Sequence, residues 1–289
     1  MSVKSLKRKK RILFSVCAGA FVPVSCLVLC LTDRPVLLRY EQADISFEAE
    51  GGRITRITID GCFPYGVVYG RPVETEGASG SGKTTLLNCI STIDRVSAGH
   101  ILLDGQDLTT IREEELAAFR RENLGFVFQD FNLLDTLTLE ENIALPLALG
   151  GFRPEEVEKR VTGIADRLRL TDALKKFPLQ VSGGQKQRCA FARAMVCGPK
   201  LVMADEPTGS LDSRSARTLL AIMAEQNRER SVTILMVTHD AFCASFSDRI
   251  LFLKDGRIFN EIRRGNRTRD AFYHSILDVL SLLGGDLPC

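Results

Sequence analysis

The 289-residue sequence has no Trp, only four Tyr and three His, and none of its nine cysteines stands in a Cys-x-x-Cys pair. Without paired cysteines there is no zinc framework, and an odd, scattered set of thiols excludes a disulfide scaffold; a reducing compartment suits it. Long hydrophobic runs are almost as scarce. One uncharged stretch, residues 12–31, is just long enough to span a bilayer, so a polytopic membrane protein is excluded. Internal repeats and low-complexity tracts are missing, which removes disordered and collagen-like chains. Surplus positive charge is confined to residues 1–11, with six Lys and Arg and no acid. The remainder carries 32 Lys and Arg against 36 Asp and Glu, a net of −4. That body has no general basic face, so no nucleic-acid partner is expected.

What remains is ordinary globular chain, 45% hydrophobic and 26% charged, long enough for about two domains and a sizeable core. Residues 1–35 are the basic arm and the apolar stretch. Residues 36–76 are harder to parse: ISFEAEGG (45–52), ITRITID (54–60) and VVY (67–69) read as short strands, interrupted by Pro64, Gly66, Gly70 and Pro72. From residue 77 the pattern is regular. Apolar runs at 201–204 (LVMA), 233–237 (TILMV) and 250–253 (ILFL) alternate with helical periods such as Val157, Val161, Ile164 and Leu168, or Phe272, Ile276, Val279 and Leu283. Asp104-Gly105 and Asp255-Gly256 predict hairpins, and Pro154 followed by Glu155 and Glu156 predicts a helix start. Continuous apolar strands separated by helices predict an α/β fold whose parallel sheet is covered on both faces.

GASGSGKTT (77–85) fits the pattern of a phosphate-binding loop. Gly77, Gly80 and Gly82 let backbone N–H groups converge on phosphate oxygens where a Cβ would block approach, and a helix opening at Lys83 adds its positive end. Lys83 is placed to reach the β- and γ-phosphates and the Thr84 hydroxyl to ligate Mg²⁺. Taken alone, the motif also fits a glycine-rich turn before an ordinary helix. KLVMADEP (200–207), an apolar strand ending in two carboxylates 122 residues after Lys83, settles between them. Asp205 is placed to hold Mg²⁺ and Glu206 to polarise an attacking water.

Four further motifs carry a family resemblance. VSGGQKQR (181–188) resembles the signature sequence of ATP-binding-cassette (ABC) ATPases, with Val181 where leucine is commoner. GFVFQDFNLL (125–134) is similar to that family's Q-loop, GSLD (209–212) to its D-loop, and MVTHD (236–240) to its switch-histidine segment. The resemblance implies a P-loop NTPase with a RecA-like parallel-sheet core and an inserted helical subdomain at about 130–180, occupying 77–265, with a C-terminal amphipathic helix at 266–289. It implies an ATP hydrolase using ATP and Mg²⁺, with Glu206, His239 and Gln129 as the catalytic set. Nucleotide-binding positions would be Gly77, Ser79, Gly80, Ser81, Gly82, Lys83, Thr84 and Thr85, with Ser182, Gly183, Gly184, Gln185 and Asp212 acting across a head-to-tail dimer. Metal ligands would be Thr84, Gln129 and Asp205. The implied partners are a second copy and a transmembrane permease at the cytoplasmic face of the membrane, the chain being peripheral there. Phe131, Leu133 and Leu134 are candidates for the permease contact, with subdomain core as their other reading.

LLNCISTID (86–94), FRRENLGFVFQDFNLLDTLTLEENIALPL (119–147), MVTHDAFCASFSDRI (236–250) and ILDVLSLLGGD (276–286) are similar to ATPases of bacitracin-type antimicrobial-peptide resistance transporters, which work beside a sensor kinase. Lipoprotein-release and macrolide-export ATPases share much of this pattern and form the alternative. The residues before Gly77 depart from it. A buried strand should end at the first glycine of the loop, yet GRPVETE (70–76) brings Pro72, Glu74 and Glu76 there. None of Tyr40, Tyr65 and Tyr69 has a recognisable context for stacking on adenine. Positive-inside logic for residues 1–31 would also send the ATPase motifs out of the cytoplasm. Residues 1–35 therefore read as an anchor or signal-like segment and 36–76 as a divergent strand-rich region, or residues 1 to about 76 together as partly out of frame or rearranged relative to a family member. The second of these readings implies weak nucleotide binding and a degenerate ATPase.

Overall fold

The computed structural model describes residues 26–27, 45–50, 53–59, 66–69, 83–95, 100–230, 232–254 and 257–283. In chain order the strands and helices are β1 (Cys26–Leu27), β2 (Ile45–Glu50), β3 (Arg53–Ile59), β4 (Gly66–Tyr69), α1 (Lys83–Ile90), β5 (His100–Leu103), β6 (Gln106–Asp107), α2 (Glu113–Asn123), β7 (Leu124–Val127), α3 (Leu139–Leu149), α4 (Pro154–Arg167), α5 (Gly183–Met195), β8 (Leu201–Asp205), α6 (Ser213–Arg230), β9 (Thr233–Thr238), α7 (Ala241–Ala244), β10 (Arg249–Lys254), β11 (Arg257–Arg263) and α8 (Arg269–Leu283).

The three apolar runs become adjacent or near-adjacent strands of one sheet, in the order β1-β10-β4-β9-β8-β7, with β11 beside β10. From β10 to β7 every pairing is parallel; only β1 and β11 run antiparallel, both against β10. Helices cover both faces, so Leu201, Val202, Met203 and Ala204 of β8 and Ile234 to Val237 of β9 are all buried. That burial is why these strands show no polar alternation in the sequence.

Sequence reasoning looked for the strand feeding the phosphate loop at 70–76. The sheet position beside β9 is instead held by β4, with Val67 opposite Met236 on one side and Ile250 on the other. The physical reason is plain: a strand paired on both edges must donate along both ladders and bury its side chains, which GVVY can do and GRPVETE cannot. Residues 70–82 lie outside the described residues, as does the basic arm. Of the 12–31 stretch only Cys26–Leu27 is described, and it pairs with Leu253 and Lys254. Among the described residues no helix is long and apolar enough to cross a membrane.

A second sheet runs β2-β3-β5-β6, with β3 and β5 parallel and the outer pairs antiparallel. The β5–β6 hairpin turns through Asp104 and Gly105 at φ 49° and 76°, the left-handed pair that a two-residue primed turn requires. Asp255-Gly256 lies outside the described residues, and the strands flanking it pair with Lys254 opposite Arg257.

Within residues 130–180 lie the helices α3 and α4. Thr138 and Glu141 form a reciprocal capping box at the start of α3. Fully buried Asn142 then clamps the preceding loop, accepting from Leu134 N and donating to the carbonyls of Leu134, Leu137 and Thr138. Val161 and Ile164 on α4, with Leu168 just after it, share the larger core cluster with Leu139, Ile143 and Leu147 and with Phe272 and Ile276 of α8.

Candidate functional site

Parallel strands present their carboxyl ends together, and ligands of open α/β sheets bind there. β8 and β9 run side by side, with Asp205 opposite Val237, so the residues that follow each strand emerge at one edge. Glu206 leaves β8 at φ 44°, a left-handed conformation costly for a residue with a Cβ, and its amide donates to Val237 O at 2.9 Å. Its Oε1 lies 2.7 Å from Nδ1 of His239, and its Oε2 accepts from the His239 amide at 3.4 Å. The carboxylate is largely covered, at 15% exposure, while the imidazole is half exposed. Glu206, Thr208, Gly209, His239, Asp240 and Ala241 line a cleft of about 480 Å³.

Gln129 follows β7 and reaches the same edge. A Cβ on Gly209 would fall 3.0 Å from its Cδ and Nε2, so the absent side chain at 209 makes its room. Ser210 Oγ donates to Gln129 O at 3.1 Å. A residue that sequence reasoning passed over holds the two segments together: fully buried Gln187 donates to Phe128 O (2.9 Å) and to Pro207 O (2.7 Å). It sits inside the quoted VSGGQKQR motif, but its partners are 59 and 20 residues away in sequence, which no local pattern reveals.

The signature residues are built differently. Ser182 caps α5 by accepting from Gln185 N at 3.3 Å, while Gln185 Oε1 accepts from Ser182 N at 3.0 Å. No acidic residue stands in the first turn, so the positive end of α5 remains receptive to an anion. Ser182 is exposed and Gly183 partly so. Gly184 is buried, and a Cβ there would stand 2.8 Å from Ser215 Oγ, which locks the tip of α5 onto α6. Asp212 opens α6, its Oδ1 accepting from Arg214 N and Ser215 N at 3.0 Å each. Hydrogen bonding from Ser215, first through its side chain and then its backbone, holds the Asp212 carboxyl below the usual range.

Gly77, Ser79, Gly80, Ser81 and Gly82 lie outside the described residues. Lys83, Thr84 and Thr85 open α1, with no acid in its first turn. α1 is seated on the sheet by Leu87, Cys89 and Ile90, which share a buried cluster with Met203, Leu235 and Val237 of β8 and β9. Tyr40 and Tyr65 fall outside the described residues, and Tyr69 ends β4.

Of the three apolar residues assigned to partner contact or core, Leu133 packs partly on the core and Leu134 is 46% exposed. Phe131 and Asn132 both take left-handed backbone, at φ 63° and 47°, and Arg193 donates to their carbonyls at 3.3 and 2.7 Å. Arg193 also lines a groove of about 520 Å³ with Arg120, Arg121, Phe126, Phe128 and Leu149.

The family profile described as ABC transporter matches residues 66–209, beginning at the first residue of β4. An uncharacterised ABC transporter ATP-binding protein of Bacillus subtilis (strain 168), YvcR, is 54% identical over 224 residues, covering 78% of this chain and 86% of its own. The bacitracin export ATP-binding protein BceA of Halalkalibacterium halodurans is 45% identical over 219 residues, covering 76% of this chain and 87% of its own. Among solved structures, the dimeric ATP-binding cassette MJ0796 in a post-hydrolysis state with ADP and Pi aligns at a TM-score of 0.58 and 31% identity, covering 81% of this chain and 98% of that one.

Proposed function

The chain belongs to the ABC transporter ATP-binding family, as an ATP-hydrolysing subunit that dimerises and serves a transmembrane permease, and from that premise we propose that it powers a bacitracin-type antimicrobial-peptide exporter at the cytoplasmic face of the membrane. The 45% identity to a bacitracin export ATP-binding protein supports the substrate class. The observation that carries the chemistry is the 2.7 Å pairing of Glu206 with His239 at the carboxyl ends of β8 and β9.

In this reading Glu206 takes the proton of the attacking water, and its partial burial keeps bulk solvent from competing for that role. His239, half exposed, holds the carboxylate in place from one side. Lys83 and the backbone of 77–85 bind the phosphates. Ser182, Gly183, Gly184 and Gln185 of a second copy direct the positive end of α5 at the nucleotide across the dimer, with Asp212 at the seam. Thr84, Gln129 and Asp205 offer a hydroxyl, an amide oxygen and a carboxylate, hard donors of the kind Mg²⁺ takes, and Asp205 ends β8. Bound there, Mg²⁺ would neutralise charge on the phosphate oxygens. The groove between Phe126, Leu149 and the three arginines receives the permease. We take the module to begin at β4, with the helical subdomain of about 130–180 inserted in it.

The test is to purify the full chain with its co-expressed permease in membrane nanodiscs and measure ATP hydrolysis with and without bacitracin. Hydrolysis abolished by Glu206→Gln and stimulated by bacitracin supports the reading. Hydrolysis that survives Glu206→Gln refutes the catalytic assignment, and indifference to bacitracin refutes the substrate class alone.

A further inference from the structure

The two loops that carry Glu206 and His239 are joined a second time, away from the pair itself. Thr208 stands in the turn that follows Glu206, where Gly209 N donates to Glu206 O and Leu211 N to Thr208 O, both at 3.0 Å. Its hydroxyl lies 2.9 Å from Cys243 Sγ, and Cys243 Sγ donates to Asp240 Oδ2 at 3.1 Å. Asp240, next to His239, uses its other oxygen to cap α7, accepting from Phe242 N at 2.8 Å. A thiol has one hydrogen. With that hydrogen on the carboxylate, the Thr208 hydroxyl must donate to sulfur, so the chain of bonds runs Thr208 to Cys243 to Asp240 in one direction. Cys243 is fully buried and Thr208 nearly so, which leaves these polar atoms without competition from water. Burial first, and the Asp240 carboxylate second, push the thiol far up, so it keeps the hydrogen it donates.

We propose that Cys243 is a positioning residue for hydrolysis: it ties the turn after Glu206 to the loop carrying His239 and so sets the distance between the carboxylate and the imidazole. The direct Glu206–His239 contact uses a half-exposed imidazole, which water can replace; the Thr208–Cys243 bond is buried and cannot be exchanged in that way, and from it the same thiol reaches out to the exposed Asp240. Its thiol has no part in bond making. Serine offers the same donor and acceptor with a shorter reach, whereas alanine offers neither.

This inference rests on the assignment of Glu206 and His239 as the hydrolytic pair, and the experiment separates the two. Full-length wild type, Glu206→Gln, Cys243→Ala, Cys243→Ser and Thr208→Val are compared by steady-state ATP hydrolysis. Imidazole proton spectra are recorded alongside, since only His100, His239 and His274 contribute and single substitutions assign them. Cys243→Ala is expected to lower kcat roughly ten- to a hundredfold with KM within about twofold of wild type. Thr208→Val should do the same, and Cys243→Ser should recover kcat to within about threefold of wild type. The His239 signals should move in Cys243→Ala and stay near wild type in Cys243→Ser, whether or not hydrolysis is measurable. Unmoved His239 signals in Cys243→Ala, or equal loss of kcat in the alanine and serine variants, overturns the inference. Hydrolysis that persists in Glu206→Gln overturns the assignment beneath it.

Discussion

The edge at the ends of β8 and β9, to which we assign hydrolysis, and the signature tip of α5 hold their polar groups by opposite means. At the edge, Glu206, Thr208, Gln187 and Cys243 are buried or nearly so and are bonded to segments far away in sequence. At the tip, Ser182, Gln185 and Asp212 satisfy backbone groups within three residues of themselves and stay at the surface. Residues that act within their own chain can be braced by its core. Residues that act on a second copy must remain exposed until the two meet, so only short-range bonds can hold them.

Breaking the edge at its centre has the largest consequence. Glu206→Gln is expected to reduce kcat for ATP hydrolysis by about 10²- to 10⁴-fold, the range a general base supplies. Binding of a labelled nucleotide and the melting temperature should be little changed, and a parallel loss of folding would show the edge to be structural. Gly184→Ala sharpens the other side. The added Cβ meets Ser215 Oγ at 2.8 Å and Ser215 Cβ at 2.9 Å. Overpacking of that kind costs roughly 1–3 kcal/mol, read as a lower midpoint in denaturant, and an unchanged midpoint would mean that the tip is not locked onto α6.

Ser182→Ala is smaller in stability and more telling in mechanism. Loss of the cap costs about 1 kcal/mol. Hydrolysis should fall while nucleotide binding to the isolated chain persists, because the serine serves the partner's site. Equal loss of both would remove the distinction between edge and tip. The smallest effect concerns acid. The Asp212 carboxyl is held low in the folded chain, so its contribution is present above an unfolded value of about 3.9 and lost as pH falls through the folded value. Comparing wild type with Asp212→Asn by denaturant midpoint between pH 5 and 2.5 checks it, the variant having the shallower decline.

The chemistry of the site was legible because each motif is local. A phosphate loop, a strand-terminal Asp-Glu pair, a capped signature and a strand-terminal histidine each need their residue types at fixed short spacing. The hairpin at Asp104-Gly105 and the helix start at Pro154 were legible for the same reason. The central strand was not. VVY reads as a short strand, but three apolar residues between Gly66 and Gly70 do not reveal a central place in the sheet, and only the two edges offered by β9 and β10 select it over the residues nearer the loop.

Motif order alone thus established an ABC-type ATPase and named the residues proposed to carry its chemistry, since local hydrogen bonding and phosphate geometry dictate those choices. The tertiary structure alone decided that Gly66–Tyr69 fills the sheet, that Gln187 joins Phe128 to Pro207, and that Thr208, Cys243 and Asp240 form one connection. These depend on which buried surfaces meet when the sheet assembles, and contacts spanning tens of residues leave no periodicity in the chain.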